Sequence, residues 1–162
     1  KSWSITTKKN NVITVEPERE ELAFVGIPKI INTDVLEKIT DKNEVPVLTP
    51  MGLDKNNQSY NINADIAAGA VAKALSSRRL LLMTNVEGVY DENKKLITEI
   101  SADQADKMIK NKIINGGMIP KINTCIDAVS NGVRGVVIID GRKSHSILHE
   151  IFSDKGAGTL IR

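Results

Sequence analysis

Three loops hold the residue types that could do chemistry. In the first, Tyr60-Asn61-Ile62-Asn63-Ala64-Asp65, the residues Asn61, Asn63 and Asp65 alternate where an Ala-rich run begins. Asn and Asp favour helix starts because their side-chain oxygens accept from free N–H groups, so plain capping is one reading. The other is two amides and a carboxylate facing a polar ligand. Calcium fits poorly, because no Gly follows Asp65 and no Glu fills the twelfth loop position. The second loop is Asn85-Val86-Glu87-Gly88-Val89-Tyr90-Asp91. Its glycine would let backbone approach a ligand closely, although a simple turn explains it as well. No Gly-x-x-x-x-Gly-Lys-Ser/Thr run occurs, which excludes a P-loop. The third is Ile113-Ile114-Asn115-Gly116-Gly117-Met118-Ile119-Pro120-Lys121. Pro120 suits a first helical turn, which leaves Lys121 at a helix start, where the macrodipole disfavours a cation. A lysine there points to an anionic partner such as phosphate, or else to a solvated side chain. His145 and His149, four apart, could hold a metal but lack a third ligand. Cys125 reads as a small buried side chain, and Trp3 has no role that can be assigned.

Short strands alternating with helices must position these loops. Val12–Val15 and Leu22–Val25 are β-prone, Gly26-Ile27-Pro28 reads as a turn, and Lys29–Ile31 returns as a strand. A short helix capped by Asn32 or Thr33 carries Val35, Leu36 and Ile39 on one face. Strands are expected at Val45–Thr49, Leu80–Thr84, Val136–Ile139 and Thr159–Ile161. Helices are expected at Ala64–Leu75, Ser101–Lys112, Lys121–Asn131 and Ser146–Phe152. Ser101 and Gln104 are spaced as a capping box, and Gly132 is placed to stop a helix. This alternation implies an α/β fold with a mostly parallel sheet covered on both faces. Such sheets bind ligands beyond the carboxyl ends of their strands, which is where the three loops fall.

Composition narrows the function. Hydrophobic residues make up 41% of the 162, enough for a sizeable core, with only 3% aromatic, so Ile, Leu, Val and Ala must pack it. The 22 Lys and Arg balance 20 Asp and Glu, which argues against a nucleic-acid binder. Apolar runs such as Leu80–Met83 and Val136–Ile139 are too short to span a membrane. One cysteine forms no intrachain disulfide and suits a reducing compartment. The first residue is Lys1 rather than Met, and we expect the chain to begin inside a longer protein.

In series, these segments resemble the N-acetylglutamate kinases. Tyr60–Asp65 looks like their Asn-x-Asn-Ala-Asp motif, Leu82–Val89 their nucleotide loop, and Gly116–Lys121 their catalytic-lysine motif. Ile138-Ile139-Asp140-Gly141-Arg142, Glu150-Ile151-Phe152-Ser153 and Gly156-Ala157-Gly158-Thr159 resemble their carboxyl terminus. Phe24-Val25-Gly26 and Val45-Pro46-Val47-Leu48 also fit.

The resemblance implies the amino-acid kinase fold, an αβα sandwich, here truncated on its amino-terminal side. Residues 1–60 would end the acylglutamate-binding domain, with a hairpin, and 61–162 would form the carboxyl-terminal nucleotide-binding domain. The implied reaction is ATP-dependent phosphorylation of the side-chain carboxylate of N-acetyl-L-glutamate, in arginine biosynthesis, with Mg²⁺ accompanying ATP. Lys121 would stabilise the transferring phosphoryl group and Asp65 would orient catalytic lysines. Asn61 and Asn63 would hold the amino-acid substrate. Asn85, Val86, Glu87, Gly88, Val89 and Tyr90, with Ile113, Ile114 and Asn115, would contact the nucleotide. His145, Glu150, Ser153, Gly156, Gly158 and Thr159 look like the segment of members inhibited by L-arginine. The implied protein is a cytoplasmic homo-oligomer, dimeric or hexameric, and the chain alone is expected to be inactive. Phosphoryl transfer asks for positioning and charge neutralisation, and a carboxylate acceptor is already ionised near neutral pH. That chemistry suits Lys, Asp and Asn better than a histidine-based set. The alternatives are an aspartate, glutamate, carbamate or uridylate kinase, or a non-catalytic nucleotide-binding regulatory module.

Overall fold

A computed structural model describes residues 11–18 and 24–162. The chain divides into two compact units, Lys1–Ala67 and Ala68–Arg162. Trp3 and the Leu22–Ala23 part of one expected strand lie outside the described residues.

In the second unit, runs of β-branched and leucine residues make the central strands. Leu80–Thr84 (β5) lies parallel to Val136–Asp140 (β9), with Leu82 opposite Ile138. Gly158–Ile161 (β10) runs antiparallel to β9, and Glu99–Ile100 (β8) parallel to β10. The sheet order is β5-β9-β10-β8. The expected parallel pairing is present in two of the sheet's three strand pairs, while β10 and β8 together run opposite to β5 and β9. All five β9 residues are buried, as a strand covered on both faces requires. Val136 and Ile138 join a core with Leu82 and with Ile122, Cys125 and Ala128 of the helix Met118–Ser130 (α4). Val137 and Ile139 alternate to the other face, and the helix Ser146–Phe152 (α5) also packs against β9.

Helix ends follow local rules. Ala102–Lys110 (α3) starts from the expected capping box: Ser101 Oγ accepts from the Gln104 amide at 3.1 Å, and Gln104 Oε1 accepts from the Ser101 amide at 2.9 Å. Gly132 follows α4 at φ +98°, the left-handed stop that favours glycine. Helix α4 begins three residues before the expected Lys121, because the Asn115 carbonyl accepts from the Met118 amide and starts the turn early. Val89–Tyr90 (β6) and Leu96–Ile97 (β7) form a small hairpin that the sequence reading treats as loop.

In the first unit, Ile13–Pro17 (β1) pairs antiparallel with Gly26–Ile31 (β2). Met51–Leu53 (β3) and Ser59–Asn61 (β4) complete a sheet of order β2-β1-β3-β4. Thr33–Thr40 (α1) follows β2. Two expectations fail here. Gly26-Ile27-Pro28 is no turn but the start of β2; Pro28 lies opposite Val15 at a register shift on an edge strand, where a missing N–H is tolerated. Val45–Thr49 is no strand either: Pro46 interrupts its donors, and Val45 and Val47 are 86% and 89% exposed. The strand forms just downstream at β3. There a Cβ on Gly52 would stand 2.4 Å from Val15 Cγ1 and 2.7 Å from the Ile13 carbonyl oxygen, so only glycine fits. Ala64–Ala74 (α2) carries the division between the units. Among the described residues no helix is long and apolar enough to cross a membrane.

Candidate functional site

The second and third loops meet. Beyond the carboxyl end of β5, Val86, Gly88, Val89 and Tyr90 form one wall of a cleft. Ile113, Ile114, Asn115 and Met118, between α3 and the start of α4, form the other. Its volume is about 150 Å³, and it opens to solvent. Valine, isoleucine and methionine side chains with one amide and one phenol ring suit a flat heteroaromatic base. Asn85 and Glu87 belong to the same loop but do not line the cleft.

Lys121 closes the first turn of α4, three residues after Met118, and so shares a helix side with a cleft-lining residue. Gly116, at φ +56°, and Gly117 precede it, both exposed, with open space where side chains would be. No acidic residue occupies that first turn.

An ionic network supports the β5–β6 loop. Glu87 is ion-paired with Lys143 and accepts from the Tyr90 hydroxyl at 3.2 Å. The Lys143 hydrogen bond, then that of Tyr90, lowers the Glu87 carboxyl from its ordinary value. Burial, reinforced by Glu87, raises the Tyr90 phenol, which keeps it a donor. Next to it, the Arg142 guanidinium grips Asp140 at 2.9 and 2.8 Å, and the Arg142 amide donates to Asp140 Oδ1 at 3.0 Å. These bonds hold the Asp140 carboxyl at about 2. Sequence reasoning did not assign this network a role. Lys143 lies 56 residues from Glu87, and only the Asp140-x-Arg142 spacing carries a local signal.

The first loop lies in the other unit. Asn63 caps α2, its Oδ1 accepting from the amides of Asp65 at 3.0 Å and Ile66 at 3.3 Å. Asn61 ends β4, exposed, with its amide donating to the Phe24 carbonyl at 2.8 Å. Asp65 sits half-buried in the first turn of α2.

The carboxyl-terminal segment separates into two parts. Glu150 accepts from the Ala157 amide at 2.8 Å and faces Arg79 Nη1 at 3.8 Å. Gly156, at φ +67°, lies so near that a Cβ would be 2.8 Å from Glu150 Oε2. Ser153 bonds His149 at 3.2 Å, and His145 stands exposed before α5 at φ +61°. Gly158 belongs elsewhere: a Cβ there would be 1.9 Å from the Ile138 carbonyl oxygen and 3.0 Å from that of Glu87. The sheet itself demands that glycine. Among the described residues no group of three or more His, Cys, Asp or Glu gathers to hold a metal.

The model of the amino acid kinase family matches residues 3–140. The chain belongs to this family. This amino acid kinase chain is 56% identical to an acetylglutamate kinase of Pelagibacter ubique (strain HTCC1062), over all of itself and 56% of that relative. It is 34% identical to smu.665 from Streptococcus mutans UA159, whose crystal structure superposes with a TM-score of 0.77 over 93% of this chain and 56% of that one. It shares its fold with N-acetylglutamate synthase from Neisseria gonorrhoeae, at 23% identity and a TM-score of 0.87, over 99% of this chain and 38% of that one. The amino acid kinase chain spans about half the length of the curated relatives it matches, 46–56% of three of them.

Proposed function

We propose that this chain belongs to an acetylglutamate kinase, in which it supplies the nucleotide site and part of the catalytic site. The observation that carries the reading is the cleft between Val86–Tyr90 and Ile113–Asn115, with Lys121 one turn from its edge. Similarity to acetylglutamate kinases at 46–56% identity supports N-acetyl-L-glutamate as the acceptor. In this reading residues 1–60 belong to the acylglutamate-binding side and 61–162 to the nucleotide-binding domain.

ATP, when bound, supplies the phosphoryl group. The apolar walls at Val86, Ile114 and Met118 fit its base, and the Asn115 amide gives that base a polar partner. Lys121 offers a fixed positive charge to negative charge spreading over the phosphoryl oxygens, and a charge already in place needs no reorganisation when it is used. Mg²⁺ would accompany the nucleotide, held by its phosphates, by water and by one or two carboxylates. Asn61 is the proposed contact to the amino-acid substrate, and Asp65 the carboxylate that orients catalytic groups. Asn63 spends its oxygen on the helix cap, which makes it a support for that loop. The acceptor carboxylate is ionised at neutral pH and needs no general base.

The proposal extends to feedback by L-arginine at Glu150, Ser153 and Gly156. Glu150 is one-tenth exposed and already faces a guanidinium, that of Arg79, the group arginine would present. A cytoplasmic homo-oligomer is part of the same reading.

A coupled ADP-release assay on the protein expressed from its whole gene tests the function. N-acetyl-L-glutamate should support turnover well above aspartate, glutamate, carbamate and uridylate. Turnover with another of these acceptors, and none with N-acetyl-L-glutamate, would move the chain to a sister kinase. No turnover with any of them, together with nucleotide binding, would favour a regulatory module.

A further inference from the structure

Thr159 is fully buried, and its hydroxyl is used twice. It accepts from the Val89 amide at 2.8 Å and donates to the Ile97 carbonyl at 2.6 Å. Val89 and Ile97 are cross-strand partners in the β6–β7 hairpin, 70 and 62 residues before Thr159. One hydroxyl thus ties both strands of the hairpin to β10. Gly88 lies directly over it: a Cβ there would be 2.3 Å from Thr159 Oγ1 and 3.1 Å from the Thr159 amide nitrogen. Gly88 and Val89 are also walls of the cleft.

A valine has nearly the shape of threonine and serves a buried strand at least as well. It would avoid the cost of burying a hydroxyl, which is offset only when both its bonds are made. Both are made here, and both go to the hairpin that carries the cleft wall. The reach of Thr159 is to the backbone of Gly88 and Val89.

We propose that Thr159 is a positioning residue for the nucleotide, setting the height of the Gly88–Val89 wall against the Ile114–Met118 wall. The inference rests on reading the cleft as the nucleotide site.

Thr159→Val and Thr159→Ser in the whole protein test it, with ADP affinity by calorimetry, steady-state kinetics, and hydrogen exchange at the Val89 amide. Thr159→Val should weaken ADP binding and raise KM for ATP about tenfold, which corresponds to about 1.4 kcal/mol, within the loss typical of a buried donor deprived of its acceptor. Its kcat and its KM for the acceptor should stay within about twofold. Thr159→Ser keeps the hydroxyl and should restore ADP affinity. A purely structural residue would lower thermal stability without this separation of the two KM values. Unchanged ADP affinity in a folded Thr159→Val protein overturns the proposal, as does an equal loss in Thr159→Ser. Should Thr159→Val not fold, the wild-type protein decides. Its Val89 amide must be protected before ADP is added, and fast exchange that slows only with ADP would mean that the ligand orders the wall. A wild-type protein that binds no adenine nucleotide removes both this inference and the reading of the cleft, whereas a binding wild type with a silent Thr159→Val removes this inference alone.

Discussion

In the proposed function, Lys121 is the residue on which the chemistry turns. An interaction made mainly in the transition state shows itself as lost kcat with little change in KM. Lys121→Ala in the whole protein should therefore lower kcat on the order of 10²-fold or more, the usual effect of removing a preorganised charge stabiliser. A kcat within a few-fold of wild type would dismiss the assignment. Asp140 offers a second test, with a definite sign. Its ordinary value is 3.8, and the Arg142 bonds bring it to about 2. A depressed carboxyl stabilises the fold above its unfolded value and ceases to do so as pH falls through the folded one. Arg142→Gln should thus lower Tm by a constant amount above about pH 5. That deficit should shrink between the two values and vanish below about pH 2. Arg142 is 68% exposed, so the deficit should also shrink with added salt. A deficit that persists unchanged at low pH would contradict the pairing.

Among the elements, α3 shows how much one cap carries. Ser101→Ala removes one half of the capping box and strands the Gln104 amide, at a cost of about 1 kcal/mol. Urea unfolding should register it, and no change in midpoint would mean that the cap is idle. Such features were legible because they are local: the box at Ser101 and Gln104, the stop at Gly132, the runs of β5 and β9 all lie within a few residues. What was not legible depends on distant partners. Val45–Thr49 has a strand's composition, but Pro46 and its exposure leave it outside the sheet, and Gly52 takes β3 there instead because only its bare backbone fits against Val15 and Ile13. The β6–β7 hairpin is two residues per strand and is held by Thr159 across the sheet, which no local pattern announces. The same limit applies to the candidate site. Resemblance grouped Asn85–Tyr90 with Ile113–Asn115; all of these but Asn85 and Glu87 line one cleft, and Met118, Lys143 and Thr159 enter it or support it through the fold alone.

At the scale of the whole molecule, a ligand that binds only the folded state raises stability by mass action. ADP at about 100 times its Kd should add about 2.7 kcal/mol to the whole protein, visible as a thermal shift. An absent shift at millimolar ADP would count against the cleft as a nucleotide site. The proposed feedback by L-arginine also belongs to this scale. Arginine inhibition needs an element whose two states bind arginine differently, and Glu150 bridges Arg79 and the Ala157 amide, so a guanidinium arriving there must share or displace what the carboxylate already holds. Glu150→Ala should abolish inhibition by L-arginine and leave the uninhibited rate within about twofold. Wild-type inhibition surviving in Glu150→Ala would place the effector elsewhere.

Gly156 and Gly158 stand two residues apart and carry quite different burdens. A side chain at Gly156 meets only the tip of Glu150, whereas one at Gly158 meets the backbone of Ile138 and of Glu87. In a genetic selection for strains that escape arginine feedback, the two codons should therefore behave unlike each other. Alleles at Gly156 should be recovered as viable, deregulated prototrophs. Alleles at Gly158 should be missing from the survivors or appear as arginine auxotrophs, their lesion pleiotropic because one residue serves both the sheet and the loop above it.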